Sequence, residues 1–413
     1  MTLRRLLYWF VALALVSAVS VPLLVVAIGL RQPRHVTLPI PTGPYAVGRV
    51  VADWRDDNRT DPFAGGSRPR ELPVWIWYPA NRSDAARPVA YMPNRLREAM
   101  EPGSALVRFI MGRLTTNRAS VTGHALEAPS VAASEHAFPV VLLKPALGAA
   151  VVQNSVLAED LASHGYIVVG SDSPYTTPAV VYQDGRVVLR TAAGHPPENA
   201  PGTVSDLAPG QPNDFYLPVL DVWVADNRFV LDRLQALNAH DSTGRFAGRL
   251  DLSAVGALGH SLGGATALQF CRADARCRAG VDLDGMPLGD VNRVGVGKPF
   301  LFLFADRPIF ERPTDRQDTR AFLDALARLR ASTRTHPSLV LLRGAEHFNF
   351  FDQALLTEPT IWRWFGAMGS IDQARALEIT RQYVRAFFDT HLKHRPSELL
   401  EGPVTSIPEV RFP

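Results

Sequence analysis

The stretch AVGALGHSLGGATAL (254–268) sets one hydroxyl, Ser261, between a run of small apolar residues and a second glycine-rich run. SAVGALG (253–259) reads as a buried strand and GGATALQFC (263–271) as a helix, so Gly259-His260-Ser261-Leu262-Gly263 falls on the turn that joins them. As a bare string GxSxG is common. At a sharp strand-to-helix turn it has a mechanism, because the serine must take a strained backbone conformation and side chains at the flanking positions would collide with neighbouring elements. Glycine relieves those collisions. The helix that follows aims its N-terminal amides and positive dipole end at the site, where they can hold a developing oxyanion.

Outward from this turn the chain alternates. FPVVLLKP (138–145), YIVVGSD (166–172), SAVGALG, AGVDLD (279–284), PFLFLFAD (299–306) and PSLVLLRG (337–344) read as strands, the last of these closing the series. VLAEDLASHG (156–165), ending at Gly165, and PVLDVWVADNRFVLDRLQAL (218–237) read as helices, and YQDGRVV (182–188) as a hairpin turned at Asp184-Gly185. Strands apolar throughout, alternating with helices, predict a mostly parallel central sheet with helices on both faces. Residues 35–70, rich in Pro, Gly and Arg, read as a tether running into an irregular edge, with ELPVWIWYPA (71–80) as the first clear strand. No function is assigned to 81–135. The segment 307–330 reads either as part of a cap over the site, within an insert at 307–335, or as an ordinary amphipathic helix on the sheet.

A serine is a poor nucleophile until a histidine base, oriented by a carboxylate, takes its proton. Of eleven histidines, His347 alone follows the last strand in a loop, RGAEHFNFFD (343–352), and it is the expected base; His260, inside the turn, reads as structural. Two carboxylates suit the acid. Asp284 ends the strand after the nucleophile helix and Asp306 ends the next, and both preserve the order Ser, Asp, His. Position alone does not separate them. Asp282 lies on the same strand face as Asp284 but further from its C-terminal end, and reads as an ordinary hydrogen-bonded carboxylate.

Composition fits a globular chain: 413 residues, 46% apolar and 20% charged, with net charge +3. The basic residues are scattered arginines, with only three lysines, so no tract tracks a phosphate backbone and nucleic acid is not an expected partner. The N-terminus differs. Residues 6–30 carry no charge, and as a helix they would span about 37 Å at roughly 1.5 Å per residue, enough to cross a bilayer. Residues 1–33 are therefore expected to form a hydrophobic membrane anchor, or a cleaved signal segment, placing the domain at 34–413 outside the cytoplasm, in the periplasm or extracellular space. Cys271 and Cys277, the only cysteines, are either one short-loop disulfide or two buried thiols, and their spacing supports no zinc site.

GHSLGGATAL, AGVDLDGMPLG (279–289) and RGAEHFNFFD, with LPVWIWYPA (72–80) and LAEDLASHGYIVVGSD (157–172), resemble the platelet-activating factor acetylhydrolase family of the plasma and intracellular type II kind, within the α/β-hydrolase fold. The resemblance covers most of residues 70–400. It implies that the acid follows the strand after the nucleophile helix, which maps it onto Asp284 and leaves Asp306 as the alternative. It also implies a second oxyanion donor, the backbone amide of Leu147 in KPALGA (144–149), paired with that of Leu262. Here the chain departs from the family pattern: Pro145, which has no amide hydrogen, and Ala146 stand where the family has His and Gly.

The expected function is a serine carboxylic-ester hydrolase that cleaves short-chain or oxidised acyl esters, small molecules or phospholipids, through an acyl-enzyme, without cofactor or metal. The aromatics of HFNFFDQ (347–353) and IWRWF (361–365) either line an acyl pocket or, as is commoner, pack in the core. The rivals are a lipase, a cutinase-like polyesterase or a thioesterase on the same fold, and a non-catalytic membrane-anchored binding protein. A pure binder has no need of all three of Ser261, Asp284 and His347.

Overall fold

Val140 and Leu142 point to one side of their strand and Val141 and Leu143 to the other, yet all four are buried, so this strand has cover on both faces. The same holds for Phe300, Phe302 and Phe304 against Leu301, Leu303 and Ala305. Full burial of a side chain of this size contributes about 1.5–3 kcal/mol, so the apolar runs enforce a three-layer fold. The computed structural model describes residues 35–81, 86–101, 114–195, 215–312, 317–335 and 338–413, with isolated positions elsewhere.

The central sheet has ten strands, labelled here in chain order: β1 (Ala46–Thr60), β2 (Pro69–Ala80), β3 (Ala125–Glu127), β4 (Phe138–Lys144), β5 (Ile167–Ser171), β6 (Leu250–His260), β7 (Cys277–Leu283), β8 (Phe300–Ala305), β9 (Leu339–Leu342) and β10 (Val410–Arg411). Across the sheet the order is β10-β9-β8-β7-β6-β4-β5-β2-β1-β3. From β9 to β5 the pairs are parallel, while β2 is antiparallel to both β5 and β1, and β10 is antiparallel to β9. Helices α1 (Ser155–Ser163) and α5 (Gln373–Leu392) cover one face; α2 (Tyr216–Ala239), α3 (Leu262–Ala273) and α4 (Gln317–Ser332) cover the other. The hairpin forms between Ala179–Val181 and Val187–Leu189, with Gly185 at φ 86°.

Two readings of the ends of the sheet are corrected. Residues 46–60 are a fifteen-residue strand, paired with β2 from Ala46↔Ala80 to Asp56↔Arg70, and not an irregular edge. Its charges hid it: buried Arg49 spends its guanidinium on the carbonyls of Ala90 and Tyr91, which a sequence pattern does not show. Nor is β9 the last strand, since β10 pairs along it. Within 307–330, Phe322, Leu326 and Leu329 of α4 are buried in the core. The N-terminal hydrophobic helix expected over 1–33 lies outside the described residues apart from isolated positions. Among the described residues no helix is long and apolar enough to cross a membrane.

Candidate active site

β6 runs out at His260, α3 begins at Leu262, and Ser261 between them sits at φ 59° and ψ −126°. A non-glycine residue seldom adopts a positive φ, and the cost, of order 1–3 kcal/mol, is met by surrounding structure. Part of that support is the bond from the Ser261 amide to the Leu283 carbonyl at 2.9 Å. The flanking glycines answer to close approaches. A Cβ on Gly259 would run into the Gly263 carbonyl, one on Gly263 into the carbonyls of Lys144 and Pro145, and one on Gly264 into the Asp282 carboxyl.

Asp284 follows the end of β7, one strand over, also at positive φ (50°). Its Oδ1 accepts from the Ala305 amide at 3.0 Å and from Arg307 Nη1 at 2.9 Å; its Oδ2 accepts from Arg307 Nη2 at 2.5 Å and from His347 Nδ1 at 2.7 Å. The carboxylate is buried, and burial alone would raise its pKa. The Arg307 charge and the His347 hydrogen bond outweigh that and hold it well below the usual carboxylate range. Asp306 points elsewhere, bonded to Arg411 of β10, including Nε to Oδ2 at 2.9 Å. Of the two carboxylates that position alone left open, Asp284 is the one at hydrogen-bond distance from His347.

His347 opens a turn (His347–Phe350) after β9, with about a quarter of its side chain exposed. Its backbone carbonyl lies 2.9 Å from His260 Nε2, and the two rings lie 4.6 Å apart between centroids, tilted by 36°. Burial first, then the neighbouring His347, push the His260 pKa down to about 3. A neutral ring with Nε2 protonated donates that bond, so His260 pins the loop that carries His347. Asp282 accepts from the Gly285 amide, and burial, reinforced by Asp284, raises it well above the ordinary range.

The loop opposite, Lys144 to Ala149, is anchored at both ends. Lys144, fully buried, donates to the carbonyl and hydroxyl of Ser171 and lies 3.6 Å from Asp226, which pairs with buried Arg70 at 2.7 Å. Burial pushes Lys144 down to about 8 against the pull of Asp226. On the far side Asp172 accepts from the Val151 amide and from Trp75 Nε1. Between the anchors Ala149 N closes a turn onto Ala146 O, with Gly148 at φ 79°. Positive φ falls on Gly148, leaving Ala146 without that strain. The amides of Leu147 and Leu262 donate to no other described residue.

Ser261, His347 and Leu147 line one cavity of about 580 Å³, whose outer wall comes from Arg97, Met100, Glu101 and Thr115–Arg118, and whose aromatic side is Phe348, Phe351 and Trp362. The aromatic cluster thus divides: these three face the cavity, Phe350 is core, and Trp364 and Phe365 are exposed. No described residue of 307–335 lines the cavity. Sequence reading missed Arg307, Lys144 and the wall residues Arg97, Met100, Glu101 and Thr115–Arg118. Only the buried-strand context of Lys144 offered a signal, since a lysine inside an apolar run needs a partner. Cys271 and Cys277 form a disulfide from the end of α3 to the start of β7. Among the described residues no group of His, Cys, Asp and Glu could hold a metal ion.

Comparison with known proteins meets the same elements. The family model "platelet-activating factor acetylhydrolase, isoform II" matches residues 232–402, which contain Ser261, Asp284 and His347. The chain is 26% identical to a probable 1-alkyl-2-acetylglycerophosphocholine esterase of Arthroderma benhamiae, over 94% of this chain and 96% of that protein. It is 23% identical to the platelet-activating factor acetylhydrolase of Cavia porcellus, over 92% and 85%. A solved ferulic acid esterase from Streptomyces cinnamoneus superposes with a TM-score of 0.68 at 29% identity, over 91% of this chain and 99% of that one. The resemblance read from the motifs is therefore found along nearly the whole chain, in proteins that are all named for ester hydrolysis.

Proposed function

We propose that the protein is a serine hydrolase of carboxylic esters, with Ser261 as nucleophile, His347 as general base and Asp284 as the acid that orients it. His347 takes the Ser261 proton as the oxygen attacks the ester carbonyl. Asp284 holds the Nδ1–H tautomer and stabilises the imidazolium, and the amides of Leu262 and Leu147 receive the oxyanion. His347 then protonates the departing alcohol. Water enters by the reverse route, His347 again acting as base, and the carboxylic acid leaves. The observation that carries this reading is the 2.7 Å bond between His347 and Asp284 on the wall of the cavity that Ser261 also lines.

The esters this reading favours have short or oxidised acyl chains, on phospholipids or on smaller alcohols. A panel of p-nitrophenyl esters separates it from a lipase or polyesterase: a preference for acyl chains above about eight carbons would turn the reading toward those classes. The disulfide supports folding in an oxidising compartment, which suits export through residues 1–33. A fluorophosphonate probe tests the nucleophile: the folded protein should label on Ser261, and S261A should not. Absence of labelling in folded protein would favour a binding protein.

A further inference from the structure

The wall of the catalytic cavity carries three arginines, Arg97, Arg108 and Arg118, against a single lining carboxylate among the described residues, Glu101. Glu101 is engaged by Arg97 at 3.3 Å. Arg118 differs from the other two in what surrounds it. It is half-buried, its one side-chain bond to a described residue runs from Nη2 to the neutral Gln353 Oε1 at 3.3 Å, and no described carboxylate lies within ion-pair distance. Burial pushes its pKa down against the opposing pull of Tyr91 and Glu101, which means that the cation bears an uncompensated desolvation cost.

Its position is fixed. Thr116 N donates to Leu356 O at 2.7 Å and Glu358 N to Leu114 O at 2.8 Å, so the strip carrying Arg118 is stitched to the segment that follows the His347 turn. Asn117 Oδ1 caps the turn Arg118–Ser120 through the Ala119 amide. Gln353 Oε1 already accepts from Gln153 Nε2 at 3.0 Å, so Arg118 gains little from sharing it. The other guanidinium N–H groups of Arg118 meet no acceptor among the described residues, and their planar fork matches the geometry of a carboxylate or phosphate.

We propose that Arg118 is a specificity-determining residue, forming a subsite for an anionic group on the ester while its carbonyl is held at Ser261. This rests on the hydrolase reading above and names the side chain that pairs with a carboxylate or phosphate on such an ester, with the apolar part against Phe348, Phe351 and Trp362.

Two pairs of esters tell the sources of charge apart. p-Nitrophenyl hydrogen glutarate against p-nitrophenyl pentanoate places the anion on the acyl side; the acetyl ester of glycerol phosphate against that of glycerol places it on the alcohol side. In one pair the unmutated protein should favour the anionic ester in kcat/KM by about tenfold or more, as expected for a charge-assisted hydrogen bond. R118Q should lower that ratio by a similar factor, and R118K should restore part of it. A ratio near one in both pairs, or a ratio that survives R118Q, would overturn the proposal. If R118Q does not fold, the unmutated protein decides: a preference that does not weaken from low to about 0.5 M salt is not this ion pair. Failure of the hydrolase reading shows differently, as inactivity on all four esters. Calorimetry of glutarate and inorganic phosphate with the full chain then decides the subsite by itself: binding of either that is lost in R118Q supports it, and binding of neither overturns it.

Discussion

Arg307, just past the end of β8, donates to both carboxylate oxygens of Asp284, just past the end of neighbouring β7, at 2.9 and 2.5 Å. It is thus a positioning residue of the proposed acid: it fills the lone pairs that His347 and the Ala305 amide leave open, and supplies the charge that keeps a buried carboxylate ionised. Its Nε also lies 3.5 Å from Glu346, the residue before the base.

Loss of this pairing should appear in the pH profile. Asp284 is held below its unfolded value, so it stays charged through the working range, and its contribution is lost only as pH falls through that depressed value. In R307Q burial has no cation to oppose it, the carboxyl titrates higher, and the acid limb of kcat/KM should move to higher pH. R307K should keep much of the wild-type limb. An unmoved limb in R307Q would show that Arg307 has only a packing role.

The choice between carboxylates is testable by paired variants. D284N should lower kcat by about 10⁴, through loss of the correct tautomer. D306N should leave kcat within a few-fold and instead lower the melting temperature, because it releases Arg411 and the edge strand β10. Steady-state rates and thermal scans on both variants check this.

In an ordinary helix Gly→Ala gains about 0.5–1 kcal/mol. G263A should do the opposite, since the added methyl meets the carbonyls of Lys144 and Pro145 and pushes the loop carrying Leu147 away. Both the melting temperature and the rate of fluorophosphonate labelling should fall.

His260 predicts acid sensitivity of the fold. Its folded pKa of about 3 lies below the ordinary value of 6.5, so the unfolded chain binds the extra proton between those limits. Stability is complete above about pH 6.5 and should decline as pH falls toward 3, by an amount on the order of a few kcal/mol. Urea midpoints across that range should fall more steeply for the wild type than for H260Q.

The disulfide closes a short loop, so C271A/C277A should cost about 2–3 kcal/mol in denaturant titrations. Activity at low temperature should persist, because neither cysteine lines the cavity.

Periodicity and local chemistry made part of this protein legible from its residues. Apolar runs at β4, β6, β7 and β8 specify strands buried on both faces, and the glycines around Ser261 specify an elbow, because each property depends on a residue and its near neighbours. The order of Ser261, Asp284 and His347 followed from the same strand-by-strand reading with the family resemblance added. Other features depended on residues far apart in the chain. β1 is a strand because Arg49 finds two carbonyls 41 and 42 positions away, and β10 because β9 leaves it a free edge. Asp284 and Asp306 are equivalent in strand position; what separates them is which arginine and which histidine the folded sheet brings within reach. The outer wall of the cavity, with Arg118 in it, comes from a stretch to which the sequence assigned no function. Long-range hydrogen bonds and ion pairs have no period along a sequence, and only the folded chain sets their partners.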